Sequence, residues 1–207
     1  MKPLSFLDSL RSGGEISRKR IYHAAGYEYG ERAIPDELMN WAGDQIGASG
    51  AEPRAFARVE SRNVALVNGN PIIRFEPHKW RRYRKDTPQA RAFDTKRNPR
   101  EQADRWRLFE EMCQADRIAA ILSHSFGAFQ IMGFNHEVCG YSSPESFLEA
   151  MMTPEGQVRA FVRFVKAHGA LLAAIVARDA ATVARHYNGP AYRQNRYDEK
   201  WLGALND

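Results

Sequence analysis

One short stretch of this chain has the pattern of β-strands, and most of the remainder has the pattern of helices. Val64–Val67 and Pro71–Phe75 are two runs rich in β-branched residues that flank Asn68-Gly69-Asn70. Asn-Gly between such runs favours a tight turn, so the sequence predicts a β-hairpin here. A chain with one hairpin among many helices is predicted to be mainly α, with a core built by helices.

Two helices are predicted before the hairpin, over residues 36–46 and from about Ser49 to Ser61. From Glu101 onward the sequence predicts only helices, because apolar residues recur there at helical spacing. One expected helix start after that point is the capping residue Asp116. Two more combine a capping side chain with proline and an acidic residue in the first turn, at Ser143-Pro144-Glu145 and Thr153-Pro154-Glu155.

The N-terminal part differs from the rest of the chain. Residues 1–33 contain four glycines and no clear periodicity, so we predict a loosely ordered lead-in to one domain over residues 34–207. The first eight residues lack the long apolar core of a signal peptide, and no run of 18 apolar residues occurs. We therefore expect a monomer made in the cytoplasm without a signal peptide.

The positive charge of the chain is concentrated in one segment. Lys79–Arg107 holds eleven basic and four acidic residues, a net charge of +7, whereas the whole chain carries +5. Such a segment attracts polyanions, which include nucleic acid, anionic lipid headgroups and cell-wall polymer. Its aromatic residues could stack on single strands, yet no helix-turn-helix, zinc-finger or RNP signature accompanies them, so nucleic acid is not expected as a partner.

Cysteine use gives no sign of a disulfide framework or a metal site. Cys113 and Cys139 are predicted to be small buried residues. His136 and Cys139 have His-x-x-Cys spacing, but no second ligand pair lies nearby in the sequence. We expect neither a metal nor a cofactor.

Glu60 is the first candidate for chemistry. It falls on the apolar face of its predicted helix with Phe56 and Val59, directly before the hairpin. Burial disfavours the charged form of a carboxyl and raises its pKa, and a protonated carboxylic acid can protonate the leaving oxygen of a glycosidic bond. A surface glutamate at a helix end is the alternative interpretation.

Glu76 and His78 follow the second strand of the hairpin, close to the predicted end of the helix that carries Glu60. Two carboxylates that flank one cleft are typical of glycosidases. An ion pair of Glu76 with histidine or arginine, which would hold the hairpin to the helices, explains the pattern equally well.

Two further segments have polar or aromatic residues suited to sugars. Gln130, in the apolar run after Gly127, offers a donor and an acceptor, although a core glutamine bonded to backbone is the alternative. Tyr187 and Tyr192 flank the turn at Asn188-Gly189-Pro190 and could offer flat faces to sugar rings. Packed tyrosines beside a turn are the alternative there.

In this order, the segments resemble the lysozyme-like superfamily, and most closely the phage-type N-acetylmuramidase domain of endolysins. Arg62-Asn63-Val64-Ala65 departs from that family, which has a Gly-x-Gly-Phe stretch after its Glu-Ser pair. The matching segments cover roughly residues 36–205: Val59-Glu60-Ser61, Phe75-Glu76-x-His78, Phe129–Asn135, Gly140-Tyr141 and Tyr187-Asn188-Gly189-Pro190-x-Tyr192.

The resemblance implies an α+β lysozyme-like fold and a peptidoglycan hydrolase that cleaves the β-1,4 bond between N-acetylmuramic acid and N-acetylglucosamine. It implies Glu60 as the catalytic acid and places Ser61, Gln130, Tyr187 and Asn188 near the sugar. We add His78 and Tyr192 as candidate sugar contacts and Glu76 as a candidate second carboxylate. Glu76 would activate the attacking water, stabilise the oxocarbenium-like transition state, or only orient His78 and the hairpin. A lytic transglycosylase that uses the same glutamate is the alternative. For a phage enzyme we further expect release to the wall by a holin, and contact of Lys79–Arg107 with the anionic cell envelope.

Overall fold

A computed structural model describes residues 31–206. Its strands are β1 (Glu31–Ala33), β2 (Val64–Val67), β3 (Asn70–Pro71), β4 (Ile73–Phe75), β5 (His124–Phe126) and β6 (Ile131–Met132). Its helices are α1 (Asp36–Ile46), α2 (Ala51–Ser61), α3 (Pro77–Tyr83), α4 (Pro88–Arg91), α5 (Gln102–Leu122), α6 (Pro144–Met151), α7 (Pro154–Ala167), α8 (Gly169–Val176), α9 (Ala180–Asn188) and α10 (Tyr197–Leu205). The mainly α, α+β prediction is confirmed.

The predicted hairpin forms, but its second strand is divided between two sheets. β2 pairs with β3 through Leu66 opposite Pro71 and Val67 opposite Asn70. β4 then leaves this sheet and pairs with β5 and, through it, β6, which gives a second three-stranded antiparallel sheet. Pro71 has no N–H to donate to the ladder, and after it a single hydrogen bond from the Ile72 N–H to the Ala65 carbonyl, at 3.3 Å, still joins the chain to β2.

Two predictions about the extent of β-structure were wrong. The region after Glu101 contains β5 and β6 besides helices. These strands have only three and two residues, which is too short for an alternating pattern to emerge from the sequence. Residues 31–33, assigned to the lead-in, form β1 and pair with β2. The rest of the lead-in lies outside the described residues.

Aromatic packing holds the end of α2 in place. The ring of Phe56 lies 4.6 Å from that of Tyr187 on α9, 5.2 Å from Phe161 on α7 and 5.6 Å from Trp201 on α10. Phe56 and Trp201 are fully buried, and burying a large apolar side chain contributes about 1.5–3 kcal/mol. Three helices therefore fix α2, which carries Glu60 one turn beyond Phe56.

The basic segment Lys79–Arg107 is largely helical. It forms α3 and α4 and then enters α5, whose backbone is kinked at Asp116. Asp116 is confirmed as a cap, because its Oδ1 accepts a hydrogen bond from the N–H of Ala119 at 3.1 Å. Its Oδ2 accepts one from the N–H of Lys85 at 2.8 Å, so the same carboxylate anchors the basic segment to α5.

The aromatic side chains of this segment mostly face the protein interior. Trp80 and Trp106 are buried, and their indole N–H groups donate to the carbonyls of Ala90 and Pro71. Phe93 packs edge-on against Trp80. Stacking on single-stranded nucleic acid needs exposed rings. The geometry therefore gives no support to the nucleic-acid alternative.

Candidate active site

Glu60 lies one residue before the end of α2, where the helix meets the N-terminus of α10 and the C-terminus of α9. Its Oε1 accepts a hydrogen bond from Tyr197 Oη at 2.8 Å and a longer one from Asn188 Nδ2 at 3.5 Å. Tyr197 is the first residue of α10 and Asn188 the last of α9. Two helix ends therefore present a donor to the same carboxylate oxygen.

The surroundings of Glu60 favour its protonated form. Burial raises the pKa of this carboxyl, and that effect outweighs the hydrogen bonds from Tyr197 and Asn188 and the charge of Arg74, which act in the opposite direction. Part of the residue is still accessible from outside. A neutral carboxylic acid that a substrate can reach is suited to donate a proton.

Glu76 lies beside Arg74 and His78, as the ion-pair interpretation of the sequence expected. Arg74 Nε is 3.3 Å from Glu76 Oε1, and His78 Nδ1 is 3.7 Å from Glu76 Oε2. The Glu76 N–H donates to the carbonyl of Ser123, which ties the carboxylate to the start of β5. Arg74 contacts Glu76, and its positive charge also lowers the pKa of Glu60, so one guanidinium influences both carboxylates.

Gln130 and Ser61 are bonded mainly to the protein itself. Gln130 Nε2 donates to the carbonyls of Gly127 at 2.9 Å and Ile72 at 3.4 Å, while Gln130 Oε1 accepts from Ser125 Oγ at 2.8 Å. This is the backbone-bonded glutamine of the alternative interpretation. The Ser61 hydroxyl donates to the carbonyl of Ala57 at 2.8 Å, so only its lone pairs are available to a sugar.

The two tyrosines of the turn segment are packed into the protein. Tyr187 Oη donates to the carbonyl of Phe129 at 2.7 Å, and burial raises the pKa of the Tyr187 phenol well above 10, with the Glu60 charge adding to the shift. Tyr192 is only 4% exposed and its Oη accepts from Arg193 Nε. The expectation that Tyr192 offers an open face to a sugar was therefore wrong, because its ring is in the core.

Gly127 permits a close approach that a side chain would block. Its φ is +72°, and a Cβ there would lie 2.4 Å from the side chain of Gln157. Gln157 is buried and accepts from the N–H of Ala128 while it donates to the carbonyls of Ala65 and Met151. The sequence analysis did not identify Gln157, which connects the turn before β6 to β2 and α6.

The structure thus brings Glu60, Asn188 and Tyr197 into contact, whereas Arg74 contacts Glu76 and influences Glu60 through its charge. Arg74 and Tyr197 were missed from the sequence. Arg74 could have been found from the alternation of its strand, because it is the exposed position between the buried residues Ile73 and Phe75. No sequence pattern points to Tyr197, because only the packing of α10 on α2 brings it to Glu60. No cluster of three potential metal ligands occurs within residues 31–206, and no helix there is long and apolar enough to cross a membrane.

Two comparisons with known proteins find matches. The family model of muramidases, described as N-acetylmuramidase, matches residues 50–206. Among solved structures, the chain is similar to one titled "Crystal structure of Burkholderia AP3 phage endolysin", with 30% sequence identity and a TM-score of 0.69. That alignment covers 93% of this chain and 76% of the other. A search of curated proteins finds no match.

The family match spans three quarters of the chain and contains every element that contributes a group to the site, from Glu60 on α2 to Tyr197 on α10. The similar endolysin structure extends over the described fold as well. The chain therefore belongs to the N-acetylmuramidase family.

Proposed function

We propose that this protein is a peptidoglycan hydrolase that cleaves the β-1,4 bond between N-acetylmuramic acid and N-acetylglucosamine, with Glu60 as the general acid. The observation that carries the proposal is the partly accessible Glu60 carboxyl, whose pKa is raised by burial while Tyr197 and Asn188 donate to one of its oxygens. Membership of the N-acetylmuramidase family and similarity to a phage endolysin support the choice of substrate.

In the proposed reaction Glu60 donates its proton to the glycosidic oxygen as the bond from that oxygen to C1 breaks. The leaving sugar departs as an alcohol, and positive charge develops at C1 of the muramyl residue. Water then attacks C1 and loses a proton. The Tyr197 hydroxyl, the Asn188 amide and the Arg74 charge stabilise the Glu60 carboxylate that results, because each favours its ionised form.

We propose that Glu76 supplies a negative charge near the positive charge that develops at C1. Its carboxylate is 29% exposed, and its Oε1 lies 3.3 Å from Arg74 Nε. From there it can stabilise the developing positive charge or accept the proton of the attacking water. His78, which is 62% exposed beside Glu76, and the exposed Asn188 are the polar side chains best placed to meet the sugar.

The decisive experiment measures peptidoglycan cleavage by Glu60→Gln and Glu60→Ala. Both variants should lose at least about 100-fold in rate, since general acid catalysis contributes about 10²–10⁴-fold. Thermal unfolding of each variant shows that it is folded. Near-normal cleavage by a folded variant would remove Glu60 from the mechanism.

Mass spectrometry of the released muropeptides tests the type of reaction in the same assay. Hydrolysis adds water and leaves a reducing muramic acid end. Transglycosylation uses the muramyl 6-hydroxyl instead and gives a 1,6-anhydro product lighter by about 18 Da, one water. We expect the hydrolytic mass for the wild type, and a lighter product would contradict hydrolysis while keeping Glu60 as the acid.

We also propose that the exposed cations of Lys79–Arg107 contact the anionic cell envelope, where the enzyme arrives after holin-mediated release from the host cytoplasm. The cations without an ion pair in the described structure include Lys85, Lys96 and Arg97, all of which are exposed. Peptidoglycan carboxylates and envelope phosphates carry the complementary charge.

A further inference from the structure

The two oxygens of the Glu60 carboxyl have different surroundings. Oε1 accepts from Tyr197 Oη at 2.8 Å and from Asn188 Nδ2 at 3.5 Å. Among residues 31–206, no donor lies within hydrogen-bonding distance of Oε2. A carboxyl with this asymmetry has two inequivalent sites for its acidic proton.

The asymmetry selects the site of the proton. An O–H or N–H group that points at an oxygen occupies its lone pair and repels a proton placed on the same atom. The neutral acid therefore keeps its carbonyl-like oxygen toward Tyr197 and Asn188, and its O–H at Oε2. Oε2 is then the atom that can transfer a proton without first breaking a hydrogen bond.

We propose that Tyr197 is a positioning residue that confines the proton of Glu60 to Oε2 and stabilises the carboxylate formed when that proton leaves. The inference rests on the proposed role of Glu60 as general acid. In the reaction the O–H bond at Oε2 breaks, the proton joins the glycosidic oxygen, and the negative charge left on the carboxylate is shared with Oε1. The Tyr197 O–H bond stays intact throughout.

Tyr197 is held firmly enough for this role. It is 5% exposed, and its ring lies 6.3 Å from that of Tyr187 in a stacked arrangement. Four residues later in the same helix, Trp201 packs on Phe56 of α2, the helix that carries Glu60. The donor and its acceptor therefore belong to two helices that are joined through the core.

Tyr197 acts as a hydrogen-bond donor and not as a second acid. Burial and the adjacent Glu60 charge raise the pKa of its phenol well above 10, so it stays protonated wherever the enzyme works. The other ionisable groups that act on Glu60 are Arg74 on β4, which lowers the pKa of the carboxyl, and the Tyr187 phenol, whose own pKa the Glu60 charge raises. Neither of them donates a hydrogen bond to Glu60.

The test is the pH profile of kcat/KM for Tyr197→Phe on soluble peptidoglycan fragments. The variant keeps the ring and loses only the hydroxyl. Because the hydroxyl favours the ionised carboxylate, its loss raises the pKa of Glu60, and the basic limb of the profile should move upward by about one pH unit. The plateau rate should fall by about tenfold, as one hydrogen bond to the developing carboxylate is lost.

Tyr141→Phe is the control, since it removes the hydroxyl of a half-buried tyrosine that packs on Phe147 and makes no contact with Glu60. Its basic limb should coincide with that of the wild type. A Tyr197→Phe profile with an unshifted limb, or one that moves downward, would overturn the proposal and leave Tyr197 with a packing role. If Tyr197→Phe is unstable, titration of Glu60 by NMR in that variant at low temperature measures the same shift.

Failure of this proposal differs from failure of the proposed function. If Glu60→Gln is inactive while the Tyr197→Phe limb is unshifted, Glu60 remains the acid and only the positioning role is lost. If Glu60→Gln is active, the general-acid assignment itself is wrong.

Discussion

At the scale of single residues, the two residues after Glu60-Ser61 have a backbone conformation that the sequence does not predict. Arg62 and Asn63, directly after Glu60-Ser61, have φ values of +58° and +64°. This left-handed conformation is the one that glycine adopts without a steric penalty. The resembled family has a glycine-containing stretch soon after its Glu-Ser pair, whereas in this chain two residues with side chains adopt the left-handed conformation there.

The strain at Arg62 gives a residue-scale prediction. Arg62 is exposed and makes no hydrogen bond or ion pair with another side chain in residues 31–206, so Arg62→Gly removes the left-handed strain without losing a contact. We expect the free energy of unfolding to rise by about 0.5 kcal/mol, because the relief of strain exceeds the entropy that glycine adds to the unfolded chain. Urea denaturation measures the change.

Arg62→Ala separates strain from charge. It removes the same guanidinium but keeps a Cβ in the left-handed conformation, so its stability should stay near that of the wild type. Equal stabilisation by alanine and glycine would show that the arginine charge, and not the backbone, was unfavourable.

At the scale of elements, some cations of the basic segment form ion pairs within the fold, whereas others are exposed and have no ion pair in residues 31–206. Arg84 donates to both carboxylate oxygens of Asp94, at 2.6 and 2.8 Å, and pairs with Asp86 at 3.1 Å; its side chain is only 13% exposed. Asp86 also accepts hydrogen bonds from Arg91. The bonds from Arg91, and to a lesser extent the one from Arg84, lower the pKa of Asp86 to about 2. Charge counting along the sequence treats all of these cations alike, whereas the fold assigns Arg84 to the interior of the segment.

The element-scale prediction concerns the exposed cations that have no ion pair in residues 31–206. Replacement of Lys85, Lys96 and Arg97 by glutamine should slow lysis of whole cells at low salt severalfold, because long-range attraction to an anionic surface weakens. Cleavage of short uncharged substrates should change little. Turbidity of cell suspensions and a chromogenic oligosaccharide assay measure the two activities.

Lys166, Arg185 and Lys200 form the matched control set. They are exposed cations outside the segment, and their replacement by glutamine removes the same net charge. The control triple variant should lyse cells at close to the wild-type rate. Equal loss in both triple variants would mean that net charge matters and the location of the basic segment does not.

At the scale of the whole molecule, the acid needed for catalysis and the stability of the fold respond to pH in opposite ways. Glu60 donates only while it is protonated, which favours lower pH. His124 on β5 opposes this, because its ring lies among Phe75, Phe109 and Phe126 and its buried Nε2 has no hydrogen-bond partner within residues 31–206. Burial lowers the pKa of His124 to about 4.

The buried histidine predicts a loss of stability in mild acid. Below pH 6.5 the unfolded chain binds a proton at His124, whereas the folded protein does so only near pH 4. The free energy of unfolding should therefore fall by about 3 kcal/mol from this residue alone as the pH drops through that window. Urea denaturation at a series of pH values measures it.

His124→Phe should flatten this part of the pH dependence, since phenylalanine binds no proton and fits among the same rings. His186→Gln, at an exposed histidine, serves as the control and should keep the wild-type slope. A steep slope that persists in His124→Phe would assign the acid sensitivity to other groups.

Much of the framework follows from local sequence. Helix periodicity and capping residues predict α1 and α2 close to their observed bounds and the starts of α6 and α7, and Asp116 is a cap as expected. The position of Glu60 on an apolar helix face predicts its burial, because side chains at i and i+4 share a face whatever the helix packs against. These features depend on neighbours in the chain, so the sequence alone is sufficient for them.

Contacts between distant segments decided the rest. β4 pairs with β5 across about fifty residues, Tyr192 is turned into the core, and Tyr197 reaches Glu60 from 137 positions away. No periodicity encodes such contacts, since they depend on how whole helices and sheets pack once their apolar faces are buried. The sequence by itself determined which residue is the candidate acid, and only the tertiary structure decided which groups surround it and which of its oxygens is free to give up a proton.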